Sequence, residues 1–167
     1  QALDMIVREV TVLAPEQVAL SDALGLVTAE DVISREDSPP FDKSLMDGYA
    51  VLSSDVANGH REFVVVDEVT AGRTPSCDIF SGEATRIMTG APTPRSAAAV
   101  VPVEMTELVD EDTDRVRILV DAIAPEKNVI RQGANKRIGE EIVSAGRLLR
   151  AQELAALAEL GGAQVSA

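Results

Sequence analysis

Residues that could carry chemistry are most concentrated in a first segment, residues 38–51 of the 167-residue chain. A Pro-Pro pair stiffens the start of this segment, and two carboxylates, Asp42 and Asp47, follow it. Carboxylates on a presented loop can orient a cation or a water molecule. The competing interpretation is structural, because an Asp-Gly pair often forms a turn before a strand.

Two later segments present polar groups beside glycines. The second segment, residues 87–94, is a strand-like run that leads into Thr89 and Gly90, so a hydroxyl is expected where the strand ends. The third segment, residues 128–139, places Arg131 and Asn135 among glycines and further cations. Either segment could instead be an ordinary connection, since Thr-Gly pairs and polar loops are common.

Other kinds of site lack the residues they need. The chain contains one cysteine, Cys77, and one histidine, His60, so neither a thiolate cluster nor a histidine cluster for a metal can form within one chain. Glycine-rich nucleotide loops, a serine nucleophile elbow and a Cys-His nucleophile pair are also missing. A single cysteine, with no signal-peptide pattern and no long apolar run, favours a cytoplasmic protein that does not enter a membrane.

Charge restricts the partners further. The formal net charge is −13, and a field of that sign repels nucleic acid and anionic membranes at long range. The same field disfavours a small anionic ligand unless a cation or a basic segment from elsewhere compensates for it. We therefore expect neither nucleic acid nor a membrane as a partner.

The elements that must position the three segments change in type along the chain. Apolar residues recur at helical spacing over residues 3–10 and again over 151–160. Short β-rich runs lie between these helices, at residues 63–66, 84–88, 99–103, 115–120 and 140–143. This order predicts a mixed α+β fold, in which a small antiparallel β-barrel or sandwich lies between helical ends. We place the helix-and-strand subdomain at residues 1–45 and 141–167, and the inserted β-rich subdomain at residues 46–140.

In this order, the three segments resemble the N-terminal region of the molybdopterin molybdenumtransferase family, which includes bacterial MoeA and the E domain of gephyrin. The most specific part is Pro-Phe-Asp-x-Ser-x-Met-Asp-Gly-Tyr-Ala-Val at residues 40–51. Met-Thr-Gly-Ala-Pro at residues 88–92 and Asn-Val-Ile-Arg-Gln-Gly at residues 128–133 follow in the family's order. The resemblance spans essentially the whole chain and implies an elongated helix-and-strand subdomain with an inserted β-barrel-like subdomain.

The resemblance also implies an activity, which would belong to a longer protein. Members of the family insert molybdate into adenylylated molybdopterin with the help of Mg²⁺ and release AMP. They act as homodimers, in which the region represented here supplies part of the dimer interface and one wall of the reaction cleft. A molybdopterin adenylyltransferase is the implied partner. The pterin and molybdate would be held mainly by a domain that this chain lacks, so the chain alone is expected to be inactive.

The resemblance also implies roles for individual residues, at the positions that match the family's motifs. The expected catalytic residues are Asp47, Thr89 and Asn135, and the expected cofactor-binding residues are Ser44, Gly90 and Arg131. Asp47 is also the expected Mg²⁺ ligand, because a carboxylate cannot contact molybdate directly without a cation between them. Thr89 would donate a hydrogen bond to the oxyanion.

Two departures from the family pattern leave a second interpretation open. The family usually has Asn at the position of Lys43, and Gly-Glu-Asp where this chain has Gly-Ala-Asn, ending at Asn135. An amide at that position still forms hydrogen bonds but carries no charge. The alternative function is therefore a non-catalytic dimerisation or scaffold module, such as a degenerate paralogue. A third reading is a free-standing β-barrel module that binds a small ligand.

Overall fold

The computed structural model describes residues 2–109 and 114–167, which divide into two compact units. The outer unit contains residues 1–36 and 137–167, and the inner unit contains residues 37–136. These boundaries differ from the expected ones at residues 45/46 and 140/141. At the first boundary the reason is a short strand, Lys43–Ser44, which pairs with Val129–Ile130 and so keeps the first segment inside the inner unit.

The fold is a mixture of short helices and strands, as predicted. In chain order, the described elements are α1 (Ala2–Glu9), β1 (Gln17–Ala19), β2 (Val32–Ile33), β3 (Lys43–Ser44), β4 (Gly48–Val51), α2 (Ser53–Ala57), β5 (Glu62–Val69), β6 (Glu83–Ile87), β7 (Ala99–Pro102), β8 (Thr106–Leu108), β9 (Arg115–Ile118), β10 (Val129–Ile130), β11 (Glu141–Val143), α3 (Ala151–Glu159) and β12 (Gln164–Ser166). The helix predicted at 151–160 and the five predicted β-rich runs are confirmed by α3 and by β5, β6, β7, β9 and β11. No helix in the described part of the chain has the length and apolar character needed to cross a membrane.

Two short antiparallel pairs and the helix α3 build the outer unit. Strand β1 pairs with β12, and β2 pairs with β11. The buried apolar residues of this unit are Ala23, Val143, Leu149, Leu157 and Val165. The start of α3 is fixed by the Glu153 carboxylate, which accepts the backbone N–H of Arg150 at 3.1 Å. This local bond satisfies one donor that the helix itself leaves unpaired.

A six-stranded sheet in the order β7-β4-β6-β5-β9-β8 forms the centre of the inner unit. Adjacent strands are antiparallel except for β5 and β6, which are parallel. The prediction of an antiparallel arrangement was therefore wrong at this pair. Alternation of apolar residues indicates which face of a strand is buried, but it does not indicate the direction of the neighbouring strand.

Strand β4 lies between β6 and β7, and all four of its residues are buried. Tyr49 and Val51 belong to one apolar cluster, whereas Ala50 belongs to a second cluster. Successive side chains of a strand point to opposite faces, so the sheet is covered on both sides at this position. This double coverage explains the uninterrupted small and apolar run that follows Asp47.

Candidate active site

The first and second segments lie side by side as an antiparallel ladder in the inner unit. The N–H of Thr93 donates to the carbonyl oxygen of Asp42 at 2.9 Å. Further along, Ser44 donates to the carbonyl of Ala91 at 3.0 Å and accepts the N–H of Gly90 at 2.8 Å. Two segments that are separated in sequence by a large part of the sheet are thus aligned residue by residue.

The third segment flanks the other side of the first. Strands β3 and β10 are antiparallel, and Val129 is opposite Ser44. Leu45 extends the pairing by donating its N–H to the carbonyl of Asn128 at 2.9 Å. Asn128 has a φ of 61° and donates its side-chain amide to the carbonyl of Val100 at 2.8 Å. The first segment is consequently the central strand of the three.

Asp47 and Thr89 meet further along this ladder, where it joins strands β4 and β6, although they are 42 positions apart in sequence. One carboxylate oxygen of Asp47, Oδ1, accepts the N–H of Thr89 at 2.7 Å and its hydroxyl at 2.6 Å. The hydroxyl and the N–H of Thr89 hold the pKa of Asp47 below its ordinary value. Both residues are exposed to solvent. The pair therefore presents a fixed, ionised carboxylate at the surface.

The hydroxyl of Thr89 has only one proton, and in this arrangement the proton is directed at Asp47. It cannot be donated to an oxyanion at the same time. The expected role of Thr89 as an oxyanion donor would therefore require the hydroxyl to rotate away from Asp47. Orientation of the carboxylate is the role that the observed geometry supports.

Gly48 owes its place to close packing rather than to a turn. It lies in β4, and its φ is not in the left-handed region that a turn glycine usually occupies. A Cβ at this position would collide with the carbonyl oxygen of Val101 and would stand 3.0 Å from the Cα of Pro102. The structure therefore does not support the interpretation of Asp47-Gly48 as a simple turn.

Arg131 is engaged in ion pairs with two carboxylates. Its guanidinium donates to Asp42 Oδ2 and, at 3.1 Å, to Glu126 Oε1. The hydrogen bond that Arg131 donates to Asp42 is the largest cause of an Arg131 pKa above the ordinary value. The expected role of Arg131 in cofactor binding remains a prediction, and its charge is largely compensated within the chain.

The other two residues expected to bind the cofactor occupy internal positions of the ladder. Ser44 is fully buried, and its hydroxyl donates to the carbonyl of Met46 at 2.6 Å. Gly90 has a φ of 82° and uses its N–H to pair with Ser44. Both residues shape the backbone that carries Asp47 and Thr89, and contact with a ligand remains a prediction for each.

Asn135 lies at a different part of the third segment. It is exposed, and its N–H donates to the carbonyl of Ser38 at 2.9 Å. Within residues 2–109 and 114–167, no hydrogen bond joins Asn135 to Asp47 or Thr89. The structure thus brings Asp47 and Thr89 together directly, and it ties Asn135 to the start of the first segment instead.

Comparison with known proteins places the chain in a family. A model of the MoeA N-terminal region, described as domain I and II, matches residues 1–161. The chain belongs to this family. Its relatives include a molybdopterin molybdenumtransferase of Staphylococcus aureus, 35% identical over 170 residues, and molybdopterin molybdenumtransferase 2 of Mycobacterium tuberculosis, 36% identical over 155 residues. The alignments cover 99% and 90% of this chain but only 39% and 37% of those proteins.

Solved structures agree with this assignment to the MoeA N-terminal family. Two crystal structures of a molybdopterin biosynthesis MoeA protein from Pyrococcus horikoshii have TM-scores of 0.84 and 0.86 at 31% and 32% sequence identity. Each similarity covers 99% of this chain, and 42% and 44% of the respective solved chains. The chain therefore spans about two fifths of the length of the relatives that it matches.

The expected Mg²⁺ ligand, Asp47, belongs to no cluster of metal-binding side chains among the described residues. In the described ranges, no group of three or more His, Cys, Asp or Glu side chains could hold a metal ion. Asp47 could contribute one ligand, because its Oδ2 atom accepts no hydrogen bond from the described residues. The remaining ligands of any such ion would have to come from water, substrate or other protein segments.

The sequence indicated Asp42 only as one of the two carboxylates of the first segment, although this residue touches both neighbouring segments. Its carbonyl accepts from Thr93, while its carboxylate accepts from Arg131 and, at 2.7 Å, from the N–H of Gln132. Burial alone would raise the pKa of Asp42, but the bonds from Gln132 and Arg131 lower it below its ordinary value. The only signal in the sequence was the position of Asp42 within the first segment.

Proposed function

We propose that this chain is the N-terminal part of an enzyme of molybdenum cofactor biosynthesis, which inserts molybdate into adenylylated molybdopterin and releases AMP. Membership of the MoeA N-terminal family supports the pathway. The observation that carries the site assignment is the exposed carboxylate of Asp47, which Thr89 holds through two short hydrogen bonds. A surface carboxylate immobilised in this way is suited to orient groups in a cleft completed by other segments.

In this proposal Asp47 acts through its Oδ2 atom, which is left free by the described residues. Molybdate and the phosphate of the pterin are both anions, so a carboxylate would repel them unless a cation lay between. A bound Mg²⁺ would supply that positive charge. The part played by this chain is to fix the direction of the Asp47 carboxylate, and Thr89 performs that task.

The formal charge of −13 supports the view that the chain does not bind these anions by itself. Arg131 is already paired with two carboxylates, so it offers little uncompensated charge. We therefore assign the binding of pterin and molybdate mainly to a further domain. A titration in which this chain alone bound adenylylated molybdopterin at micromolar concentration would contradict this assignment.

We also propose that the protein works as a homodimer to which the outer unit contributes. Helix α1 exposes Leu3, Ile6 and Val7 by 71%, 60% and 65% respectively. Apolar side chains grouped on one helix face and left in water usually mark an interaction surface.

An enzyme that adenylylates molybdopterin must supply the substrate. We place the reaction in the cytoplasm, because the single cysteine offers no disulfide framework.

The proposal is tested with a longer protein that carries this chain together with the remaining domains of its relatives. AMP release from adenylylated molybdopterin is measured with and without molybdate. We expect molybdate-dependent release, a strong loss in Asp47→Asn, and a smaller loss in Thr89→Val than in Asp47→Asn. Thr89→Ser is the matched control, since it keeps the hydroxyl that orients Asp47. Full activity of Asp47→Asn would remove Asp47 from the site.

The scaffold alternative is favoured by one observation, the uncharged Asn135. An Asn135→Asp variant discriminates between the two functions in the same assay. Activity of the unsubstituted protein would mean that an amide is sufficient at this position. Release of AMP only after Asn135→Asp would mean that the unsubstituted protein has lost its catalytic activity and serves as a scaffold.

A further inference from the structure

Asp42 is the residue through which side-chain and backbone contacts join all three segments. Its carbonyl oxygen accepts the N–H and the hydroxyl of Thr93, at 2.9 Å and 3.3 Å. Its carboxylate accepts the N–H of Gln132 at 2.7 Å and the guanidinium of Arg131. Asp42 thus holds the second segment with its backbone and the third segment with its side chain.

The position of Asp42 in the ladder determines what these contacts can do. The bonds between the first and second segments run from Asp42 and Thr93 at one end, through Ser44, to Asp47 and Thr89, beyond which Gly48 pairs with Ile87 in the central sheet. Asp42 therefore closes the end of the ladder that lies away from this sheet. A loosened end would allow the stretch between Asp42 and β4, which contains Asp47, to shift relative to the second segment.

The pairing with the third segment needs such support because it is short. Strands β3 and β10 contain only two residues each, and pairings of this length are marginal without other contacts. The Asp42–Arg131 ion pair and the Asp42–Gln132 bond lie directly beyond β10. About a third of the Asp42 side chain is exposed, so solvent screens the ion pair only in part.

We propose that Asp42 is a positioning residue, which fixes the direction of the Asp47 carboxylate by fastening the end of the three-segment ladder that lies away from β4. It does not contact the reacting groups in this role. Its effect passes through Ser44, whose backbone pairs with both flanking segments and whose hydroxyl binds the carbonyl of Met46, next to Asp47.

Hydrogen exchange of backbone amides tests this role in the 167-residue chain without any enzymatic assay. The probes are the amides of Gly90 and Thr89, which bond to Ser44 and Asp47, and the reference is the amide of Val64, which bonds to Gly82. In Asp42→Ala, we expect about tenfold faster exchange at the two probes, the scale of a lost hydrogen bond to a charged group, and no change at the reference. Asp42→Asn retains the shape and one acceptor, so it should show an intermediate effect and serves if the alanine variant folds poorly.

A matched control is Asp121→Ala, which removes another Asp–Arg ion pair of the inner unit. Asp121 pairs with Arg61 at 3.2 Å, and no hydrogen bond or ion pair among the described residues joins its side chain to the three segments. This variant should leave the exchange of Gly90 and Thr89 unchanged. Equal acceleration of the probes and the Val64 reference in Asp42→Ala would indicate a general loss of stability, and no acceleration would indicate no coupling. Either result would overturn the inference.

The kinetic arm rests on the proposed function and uses the longer protein. Misdirection of Asp47 should lower kcat for AMP release about tenfold in Asp42→Ala and alter KM much less, because displaced groups impair chemistry more than binding. An unchanged kcat in a variant whose Gly90 and Thr89 amides exchange faster would overturn the link to catalysis. An unsubstituted protein that releases no AMP would refute the proposed function, and amide exchange would still decide whether Asp42 positions Asp47.

Discussion

Replacement of Gly48 by alanine tests whether this glycine is required by the packing of β4 against β7. The added Cβ would meet the carbonyl oxygen of Val101 and lie 3.0 Å from the Cα of Pro102. Both obstacles are backbone atoms, and β4 is also bound to β6 on its other side, so neither strand can move away without loss of ladder bonds. Inserting a group into such a site costs about 3 kcal/mol, the upper part of the range for overpacked interiors.

The matched control is Gly72→Ala. Gly72 has a φ of 85° and an added Cβ there meets nothing within 4 Å, so its substitution costs only the left-handed conformation, about 1 kcal/mol. Both free energies of unfolding are measured by urea denaturation followed by circular dichroism. We expect Gly48→Ala to be the more destabilising by about 2 kcal/mol. If Gly48→Ala lowered stability no more than Gly72→Ala, close packing would not be the reason for this glycine.

Two further predictions concern buried and ionised groups. The hydroxyl of Thr85 is fully buried and has no hydrogen-bond partner among the described residues, so Thr85→Val should stabilise the protein by about 1 kcal/mol in the same denaturation assay. Thr28→Val is its control and should be destabilising, because the hydroxyl of Thr28 donates to Ser144 at 2.7 Å; a gain in both variants would contradict the reasoning. The second prediction concerns pH, because folding lowers the pKa of Asp42. The contribution of the Asp42 carboxylate to stability is complete above its pKa in the unfolded chain, about 3.9. This contribution is lost as the pH falls through the lower pKa of the folded state. Asp42→Asn should therefore reduce the loss of stability below pH of about 4, measured by acid titration of the midpoint for urea unfolding, and an identical acid limb in both proteins would exclude this role.

Local sequence was sufficient for the main elements because their signals lie within a few residues. The apolar spacing over residues 151–160 predicted α3, since residues three and four apart share one face of a helix. The β-rich runs similarly predicted β5, β6, β7, β9 and β11. The two-residue strands β3 and β10 escaped prediction, because so short a pairing has no periodicity of its own and exists only when its partner is present.

For the candidate site, too, the sequence predicted some features and only the folded structure decided others. The motif residues singled out Asp47 and Thr89, and the structure joins them by two hydrogen bonds across 42 positions. The sequence motifs were therefore sufficient to predict that the site contains a carboxylate and a hydroxyl. The direction of the Thr89 proton was not, because it depends on which acceptor lies within reach after folding.

The sequence by itself determined the three polar segments, the helices near both ends and the β-rich middle, since each depends on residue type and short-range spacing. Only the tertiary structure decided the parallel pairing of β5 with β6, the burial of Ser44 and the close packing at Gly48. It also decided that Arg131 forms an ion pair with Asp42, a residue 89 positions away in sequence. Such contacts depend on which strands become neighbours. The strand order is set by burial of apolar residues over the whole sheet, and not by the few residues that form these contacts.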